Sequence, residues 1–299
     1  MKSKNNVIRA AALLGTGLLS WTAAAQTNAP ATSSLPVIEV RAAPLHEAQA
    51  VGPYEQPEWT TQRRFPTTRV YLQEQPGDFS LEGWWRGKWF MDGSNAQRFE
   101  EELEIGLPHR FQLDVYHGWG TENDEHATKN EFASIELRYA LADWGKIPLN
   151  PTLYGEYTYN FDESDEVEIK LLLGGQLGQD LHWGFNISRE EQTGGTKHLE
   201  IEIAQAASYT LIDQKLSIGY EWEYSQESDQ GERANPDKSF GIGPSLQWRP
   251  TRNTHLDIIP LFGLSHDAPK VESFVVFGID FGPESKTPSL IEPAALRGR

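Results

Sequence analysis

The sequence has no cysteine, and after its first 25 residues it has no long apolar run. The missing cysteine excludes disulfides, thiolate metal sites and a cysteine nucleophile. No later stretch approaches the roughly 18 apolar residues that a transmembrane helix needs. Basic residues are scarce too, with 26 Lys and Arg against 43 Asp and Glu and a net charge of -17. Nucleic acid is therefore excluded as a partner, because phosphate neutralisation needs clusters of basic side chains.

The first 25 residues carry the pattern of an export signal. Lys2, Lys4 and Arg9 precede an apolar run at 10–21, and three alanines end the segment. This pattern predicts a signal peptide over residues 1–25 that is removed on export.

Residues 26–77 are predicted to form a flexible periplasmic tether. Residues 26–36 are rich in Ala, Thr, Ser and Pro and show no periodicity, which is typical of a disordered linker. The run Val-Ile-Glu-Val at 37–40 resembles the box that energised outer-membrane receptors offer to an inner-membrane motor. Such receptors also need a plug domain, for which about 40 residues are expected to be too few. We therefore assign this run to the linker.

From Asp78 to Phe281 apolar and polar residues alternate along about twelve segments. In the second segment, for example, Leu103 and Ile105 share one face, and Glu102 shares the other with its neighbouring glutamates. Such alternation is the signature of a half-buried strand, and segments of about ten residues match the tilted span of a bilayer. The fold class predicted is all-β: a transmembrane antiparallel β-barrel of about 12 strands over residues 78–282, with a C-terminal tail at 283–299.

The connections between these segments support a membrane barrel. Short turns such as 178–179 alternate with longer polar loops such as 227–238, as in outer-membrane barrels. The connection at 142–150 departs from this rule, because it is long on the short-turn side. An even strand count places both termini on that side, which we expect to be periplasmic.

Alternation alone also fits a soluble lipocalin-like barrel or a β-sandwich. Charge on the polar face favours a wet lumen, and aromatic residues near the segment ends resemble the two girdles of a membrane barrel. These aromatics are Trp119, Tyr159, Phe161, Trp222 and Tyr224 at loop-side ends, and Tyr139, Trp183, Trp248 and Phe281 at turn-side ends. The cell outer membrane is the predicted location.

Two sets of charged side chains are predicted to face the lumen. Rings of carboxylates in a pore favour cations, whereas the alternative is that these groups only solvate the lumen and pair with the basic set. The acidic set is Glu100, Glu102, Glu104, Asp114, Glu136, Glu156, Glu168, Glu200, Glu202, Glu221 and Glu223, and the basic set is Arg86, Lys88, Arg138 and Lys170.

A hydrolytic site would need a nucleophile beside a base that a third group orients. His182 and Ser188 share one segment but lie six residues apart, roughly 20 Å at strand rise, so they cannot pair. His198 on the next segment is the nearer candidate base. We expect no enzyme activity, no metal and no cofactor.

Pro244 and Pro260 lie in the middle of neighbouring segments. A proline donates no ladder hydrogen bond, so each is expected to face a gap or mark a weakly paired seam.

Two stretches carry a resemblance to known proteins. Residues 99–114 read as strand, tight turn and strand, and residues 241–245 read Gly-Ile-Gly-Pro-Ser. On these stretches residues 78–281 resemble a loosely defined group of bacterial outer-membrane β-barrel proteins, which includes transporter-like families and components of aromatic-degradation pathways. Residues 277–281 also resemble the closing-strand signal of such proteins, although 18 residues follow here.

The sequence therefore favours a small outer-membrane channel or passive transporter with an acidic lumen. Two alternatives stay open: a non-conducting barrel that anchors or scaffolds periplasmic partners, and an outer-membrane hydrolase. Expected partners are outer-membrane lipid, the barrel-assembly machinery, and small cations or polar solutes.

Overall fold

The computed structural model describes residues 44–122 and 128–282, which form a closed barrel and a segment that precedes it. Before the barrel come two 3-10 turns, at His46–Ala48 and Glu58–Thr61, and two short paired strands, β1 (Ala50–Val51) and β2 (Gln56–Pro57). The barrel strands are β3 (Phe79–Trp89), β4 (Asn95–Leu107), β5 (Phe111–Glu122), β6 (Lys129–Ala140), β7 (Thr152–Asn160), β8 (Glu166–Leu177), β9 (Leu181–Gln192), β10 (Leu199–Ile212), β11 (Leu216–Ser228), β12 (Asp237–Thr251), β13 (Thr254–Gly263) and β14 (Val271–Phe281).

All twelve barrel strands pair antiparallel with their neighbours in sequence, and β14 closes the sheet on β3. The predicted fold class and strand count are confirmed. Among the described residues no helix is long and apolar enough to span a membrane.

The two faces of the barrel wall differ as the alternation predicts. Ile135, Leu137 and Ile169 on the outer face are 51%, 46% and 57% exposed, whereas the inward Asp114 and Glu136 are fully buried. An apolar outer face around a closed sheet is stable in lipid, because closure leaves no unpaired sheet edge. The outer surface of the closed sheet is therefore that of a membrane-spanning β-barrel.

One end of the barrel carries the tight connections; we call it the turn end and the opposite one the loop end. Turn-end residues adopt the left-handed backbone that such turns require: His109 and Arg110 have φ of 61° and 66°, and Gly178 has φ of 71°. The chain reaches β3 at the turn end, through Gly77 and Asp78, which bond the backbone of Gly106.

The expectation of a flexible tether is wrong for residues 44–77. This stretch, which we call the inner segment, lies inside the barrel and contacts inward side chains of eight wall strands (β3, β4, β5, β6, β8, β9, β10 and β11). Its aromatic residues Tyr54, Trp59, Phe65 and Tyr71 are all buried. Burial of these side chains offsets the ordering entropy that a polar linker could not recover.

The long connection between β6 and β7 has a structural reason. Its Trp144 packs edge-on against Trp59 and Tyr71, with ring centroids 5.8 Å and 5.3 Å apart. The Trp144 backbone N–H also donates to the Tyr54 carbonyl, and the Tyr71 hydroxyl donates to the Ala142 carbonyl. The extra residues therefore cover the inner segment at the turn end.

The two prolines meet across one seam of the barrel. The register set by the Ile242–Phe262 and Leu246–Ile258 pairs places Pro244 opposite Pro260, and the three rungs between those pairs are unpaired. The other edges of both strands are regularly paired there. This agrees with the prediction that each proline faces a gap.

The predicted signal peptide, residues 26–43 of the tether with the run at 37–40, and the tail at 283–299 lie outside the described residues.

Candidate functional site

The lumen is the candidate site, and the inner segment occupies its turn half. Backbone groups of the segment bond wall side chains directly. Asn186 accepts from the Arg69 N–H at 2.7 Å and donates to the Arg69 carbonyl at 2.8 Å. Glu221 accepts from the Thr67 N–H at 2.9 Å, and Gln112 accepts from the Gln73 N–H at 2.7 Å. The wall thus satisfies an irregular backbone that would otherwise be buried without partners.

Small wall residues make room for this segment. A Cβ at Gly184 would lie 2.7 Å from methyl carbons of both Thr68 and Val70, and a Cβ at Gly174 would lie 2.4 Å from Val70. Glycine at these two inward positions therefore lets the segment pack against the backbone of β8 and β9.

Aromatic packing fixes the segment near the turn end. Trp59 is fully buried, its ring lies 4.5 Å from His182, and its indole N–H donates to Gln176 at 2.8 Å. An indole with both its ring and its polar atom satisfied is a strong anchor.

Charge fixes the segment in mid-lumen. The Arg63 guanidinium lies 2.7 Å from Glu82, 3.2 Å from Glu102 and 2.6 Å from Glu104, and all four side chains are about 1% exposed or less. Burial alone would lower the pKa of Arg63, but the three carboxylates raise it well above its ordinary value. The carboxylates are also close enough together to hold a metal ion, yet the guanidinium already compensates them.

A second buried charge cluster lies beside the first. Arg138 contacts Glu136 and lies 2.8 Å from Asp114, and it donates to the Gln73 side chain of the inner segment at 3.0 Å. Gln73 in turn donates to Glu104 at 3.2 Å. The two arginine clusters are therefore joined through the segment.

The loop half of the lumen is open by comparison. A cavity of about 230 Å³ there is lined by charged residues of β3, β10, β11 and β14 and by apolar residues of β13. Arg86 and Lys88 both contact Glu272 on one wall. The cavity wall opposite them carries Glu200, Glu202 and Glu223. The carboxylates of these three side chains form no hydrogen bond or ion pair with the part of the chain that the structure describes.

Carboxylates also form a continuous row around the wall. Each member is the direct cross-strand partner of the next, over eight consecutive strands. The row runs Glu104, Asp114, Glu136, Glu156, Glu168, Glu190, Glu200 and Glu227. Because Glu104 lies near the turn end of β4 and Glu227 lies at the loop end of β11, the row climbs from the inner segment to the cavity.

The predicted lumen residues all lie on the inward face of the wall, but they separate into two groups. The first group forms ion pairs or hydrogen bonds with the inner segment or within the wall, and it consists of Glu102, Glu104, Asp114, Glu136, Glu221, Arg138, Lys170 and Glu168. Glu156 belongs to this group as well, because it accepts hydrogen bonds from Tyr154 and Thr158. Glu100, Glu200, Glu202 and Glu223 keep no such partner among the described residues, while Arg86 and Lys88 pair with Glu272.

Sequence reasoning missed Glu82, Glu190, Glu272 and the whole inner segment. A signal for the segment was present, since the Arg63-Arg64 pair and four aromatics lie in a stretch taken as linker. Partners of the inner segment lie up to 167 residues away in the chain, which no local pattern reveals.

The hydrolase candidates are not brought together. His182 is buried against Trp59, Ser188 lies opposite Glu202 and Lys170, and His198 contacts Asp229 near the loop end. No nucleophile–base pair involves these residues.

Glu74 of the inner segment predicts a pH dependence. Burial, together with Glu104, Asp280 and Asp78, raises its pKa well above the ordinary value. The protonated form therefore favours docking, so this stabilisation is complete below the ordinary pKa and is lost as pH rises through the raised value. Glu74→Gln is expected to remove this pH dependence of hydrogen-exchange protection across residues 44–77. The exposed Glu55→Gln is the control, and an unchanged pH profile in Glu74→Gln would contradict the assignment.

Neither a family model nor a curated protein matches this sequence. Among solved structures, the COG4313 outer membrane channel from Pseudomonas putida F1 matches with a TM-score of 0.53 at 10% identity, over 71% of this chain and 98% of that one. The chain has the fold of an outer-membrane channel. Two porins are weaker likenesses. The NanC porin matches with a TM-score of 0.47 at 13% identity, over 69% of this chain and 100% of that one. The KdgM porin in complex with disordered oligogalacturonate matches with a TM-score of 0.46 at 11% identity, over 68% of this chain and 99% of that one.

Proposed function

We propose that the protein is a passive outer-membrane channel for small cations and small polar solutes, with the inner segment restricting flow. The observation that carries this proposal is the set of carboxylates without partners, Glu200, Glu202 and Glu223, facing the loop-end cavity. Unpaired carboxylates lower the energy of a cation in a narrow pore and repel anions.

The row of carboxylates supplies the continuation of this path. Neighbouring strands lie about 4.8 Å apart, so successive members of the row are close enough to pass a cation from one to the next. The row ends at Glu104, which Arg63 and Gln73 of the inner segment contact. The inner segment therefore restricts the path at its turn end.

Ion selectivity tests the proposal. In a planar bilayer with a KCl gradient, the reversal potential of the wild type should indicate preference for K⁺ over Cl⁻. The triple variant Glu200→Gln, Glu202→Gln and Glu223→Gln should bring the permeability ratio several-fold closer to one, because it removes the unpaired charge and keeps the side-chain volume. Glu101→Gln on the outer face is the matched control. Anion preference in the wild type, or equal ratios in all three proteins, would contradict the proposal.

A non-conducting scaffold is the second candidate, and the buried inner segment favours it. Trp59, Tyr71 and Leu72 are at most 1% exposed within the barrel. If the segment never leaves, no single-channel steps appear in the same bilayer experiment.

A further inference from the structure

The outer face of the barrel carries two ionisable side chains at a level where lipid is expected. Glu101 of β4 and His117 of β5 are direct cross-strand partners at outward positions, and their side chains are 71% and 42% exposed. Oε2 of Glu101 lies 3.8 Å from Nδ1 of His117, which is beyond hydrogen-bond distance. The Glu101 carboxylate accepts no hydrogen bond from the part of the chain that the structure describes. Most of its bonding capacity is therefore unused within one molecule.

This pair lies on the hydrocarbon side of the loop-end aromatics. The next outward pair toward the loops is Phe99 and Trp119, whose rings stack with centroids 5.9 Å apart. The next outward pair toward the turns is Leu103 and Val115, which are both apolar. An ionisable side chain that faces hydrocarbon is destabilising unless a polar group meets it. The position of the pair therefore indicates a further partner on this face.

Small residues flank the pair on both sides. Gly83 of β3 is the cross-strand partner of Glu101, and Ala133 of β6 is that of His117. A Cβ at Gly83 would meet no atom within 4 Å, and its φ is not positive, so nothing within the molecule requires glycine there. Small outward residues let two surfaces approach closely in a membrane. The polar centre has an apolar, exposed rim, which consists of Leu81, Val115, Ile135, Tyr159 and Phe277.

The arrangement is complementary to itself. Two copies inserted in one membrane have the same orientation, so a two-fold axis that relates them runs along the membrane normal. Glu101 and His117 lie side by side on neighbouring strands, about 4.8 Å apart. Rotation about an axis between those strands therefore brings each Glu101 opposite His117 of the partner subunit. Two such contacts form at once, and each removes a carboxylate and an imidazole from lipid.

We propose that the outward face of β3 to β6 around Glu101 and His117 is the interface through which two copies of this chain associate side by side in the membrane. Acyl chains offer neither a donor to Glu101 nor an acceptor to His117, whereas a second copy offers both. The lumen lies on the other side of the wall, so this association is separate from cation conduction along the carboxylate row.

Site-directed cross-linking in intact outer membranes tests the interface. The chain has no native cysteine, so Leu103→Cys supplies a single thiol beside the two-fold axis. Ile203→Cys on β10, six strands around the barrel, is the matched control. A short bismaleimide should link the Leu103→Cys protein into dimers several-fold more than the Ile203→Cys protein. Equal yields from the two positions, or a product with a protein of another size, would overturn the proposal.

Charge exchange between two chains separates contact between copies from pairing within one copy. On the Leu103→Cys background, Glu101→Lys leaves two basic groups on the face and His117→Glu leaves two acidic groups. Neither chain keeps the original pair, so each alone should lose most of its cross-linked dimer. Produced together with different tags, the two chains should form mixed dimers with the yield of the parent. If the mixture stays as low as either chain alone, charge complementarity between copies is rejected.

Folding and conduction are measured on the same proteins. Heat-modifiable migration reports the closed barrel, and Glu101→Gln is a milder variant that should lower the dimer yield if Glu101→Lys does not fold. An undiminished yield in folded Glu101→Gln counts against the interface. Absence of cation selectivity with intact cross-linking would reject the channel proposal alone, and absence of cross-linking with intact selectivity would reject the interface alone.

Discussion

Replacing Arg63 by alanine is expected to free the inner segment and to raise single-channel conductance several-fold. The guanidinium compensates Glu82, Glu102 and Glu104 in a site from which water is excluded. Removing one partner of a buried ion network costs about 3–5 kcal/mol, because the remaining charges stay buried and unpaired. Undocking the segment lets water reach these carboxylates, so the variant shifts toward the open lumen.

The matched control for this prediction is Arg98→Ala. Arg98 pairs with Glu131 at 2.7 Å, but both side chains are partly exposed, at 42% and 32%, so their pairing contributes at most about 1 kcal/mol. The conductance of the Arg98→Ala variant should stay close to that of the wild type. The conductance of Arg63→Lys should fall between those of the wild type and Arg63→Ala, since an ammonium ion keeps the charge but not the fork geometry. Equal conductance in Arg63→Ala and the wild type would show that the charge cluster does not hold the segment.

Deleting residues 44–75 is expected to give the largest conductance of any variant. The deletion removes the buried anchors Trp59, Tyr71 and Leu72 together with Arg63. The barrel itself should persist, because β3 to β14 close on one another without any strand from the segment. The gain in conductance of this deletion variant sets the upper limit for the gain expected of Arg63→Ala.

Heat-modifiable migration on a denaturing gel is the control for this deletion, since it reports the closed barrel independently of conduction. A folded deletion variant that conducts no better than the wild type would show that the segment does not restrict flow. It would then favour loops at the opposite end as the restriction.

The barrel was predictable because each strand carries its own signal. In β4, for example, Leu103 and Ile105 alternate with Glu102 and Glu104. This alternation reveals a strand with one apolar and one charged face, without knowledge of the strands that pair with it. The prolines at 244 and 260 could be interpreted for the same reason, since the lost donor is a property of the residue itself.

The inner segment was not predictable because its structure depends on the wall. Residues 44–77 contain only two strands of two residues each, so they show no periodicity to detect. Asn186 and Gln112 bond backbone atoms of the segment, and such contacts leave no trace in its side-chain pattern. The pairing of predicted lumen carboxylates with Arg63 was missed as a direct consequence.

The place of the inner segment in the chain also sets an order of assembly. Residues 44–77 are synthesised before every strand they contact, yet Thr67 must find Glu221, which is 154 residues later. Contacts of that separation form late, because the chain between them must already be arranged. The bond between Thr67 and Glu221 can therefore form only after β11 has been made, so the inner segment gains its full set of contacts only when most of the wall has been synthesised.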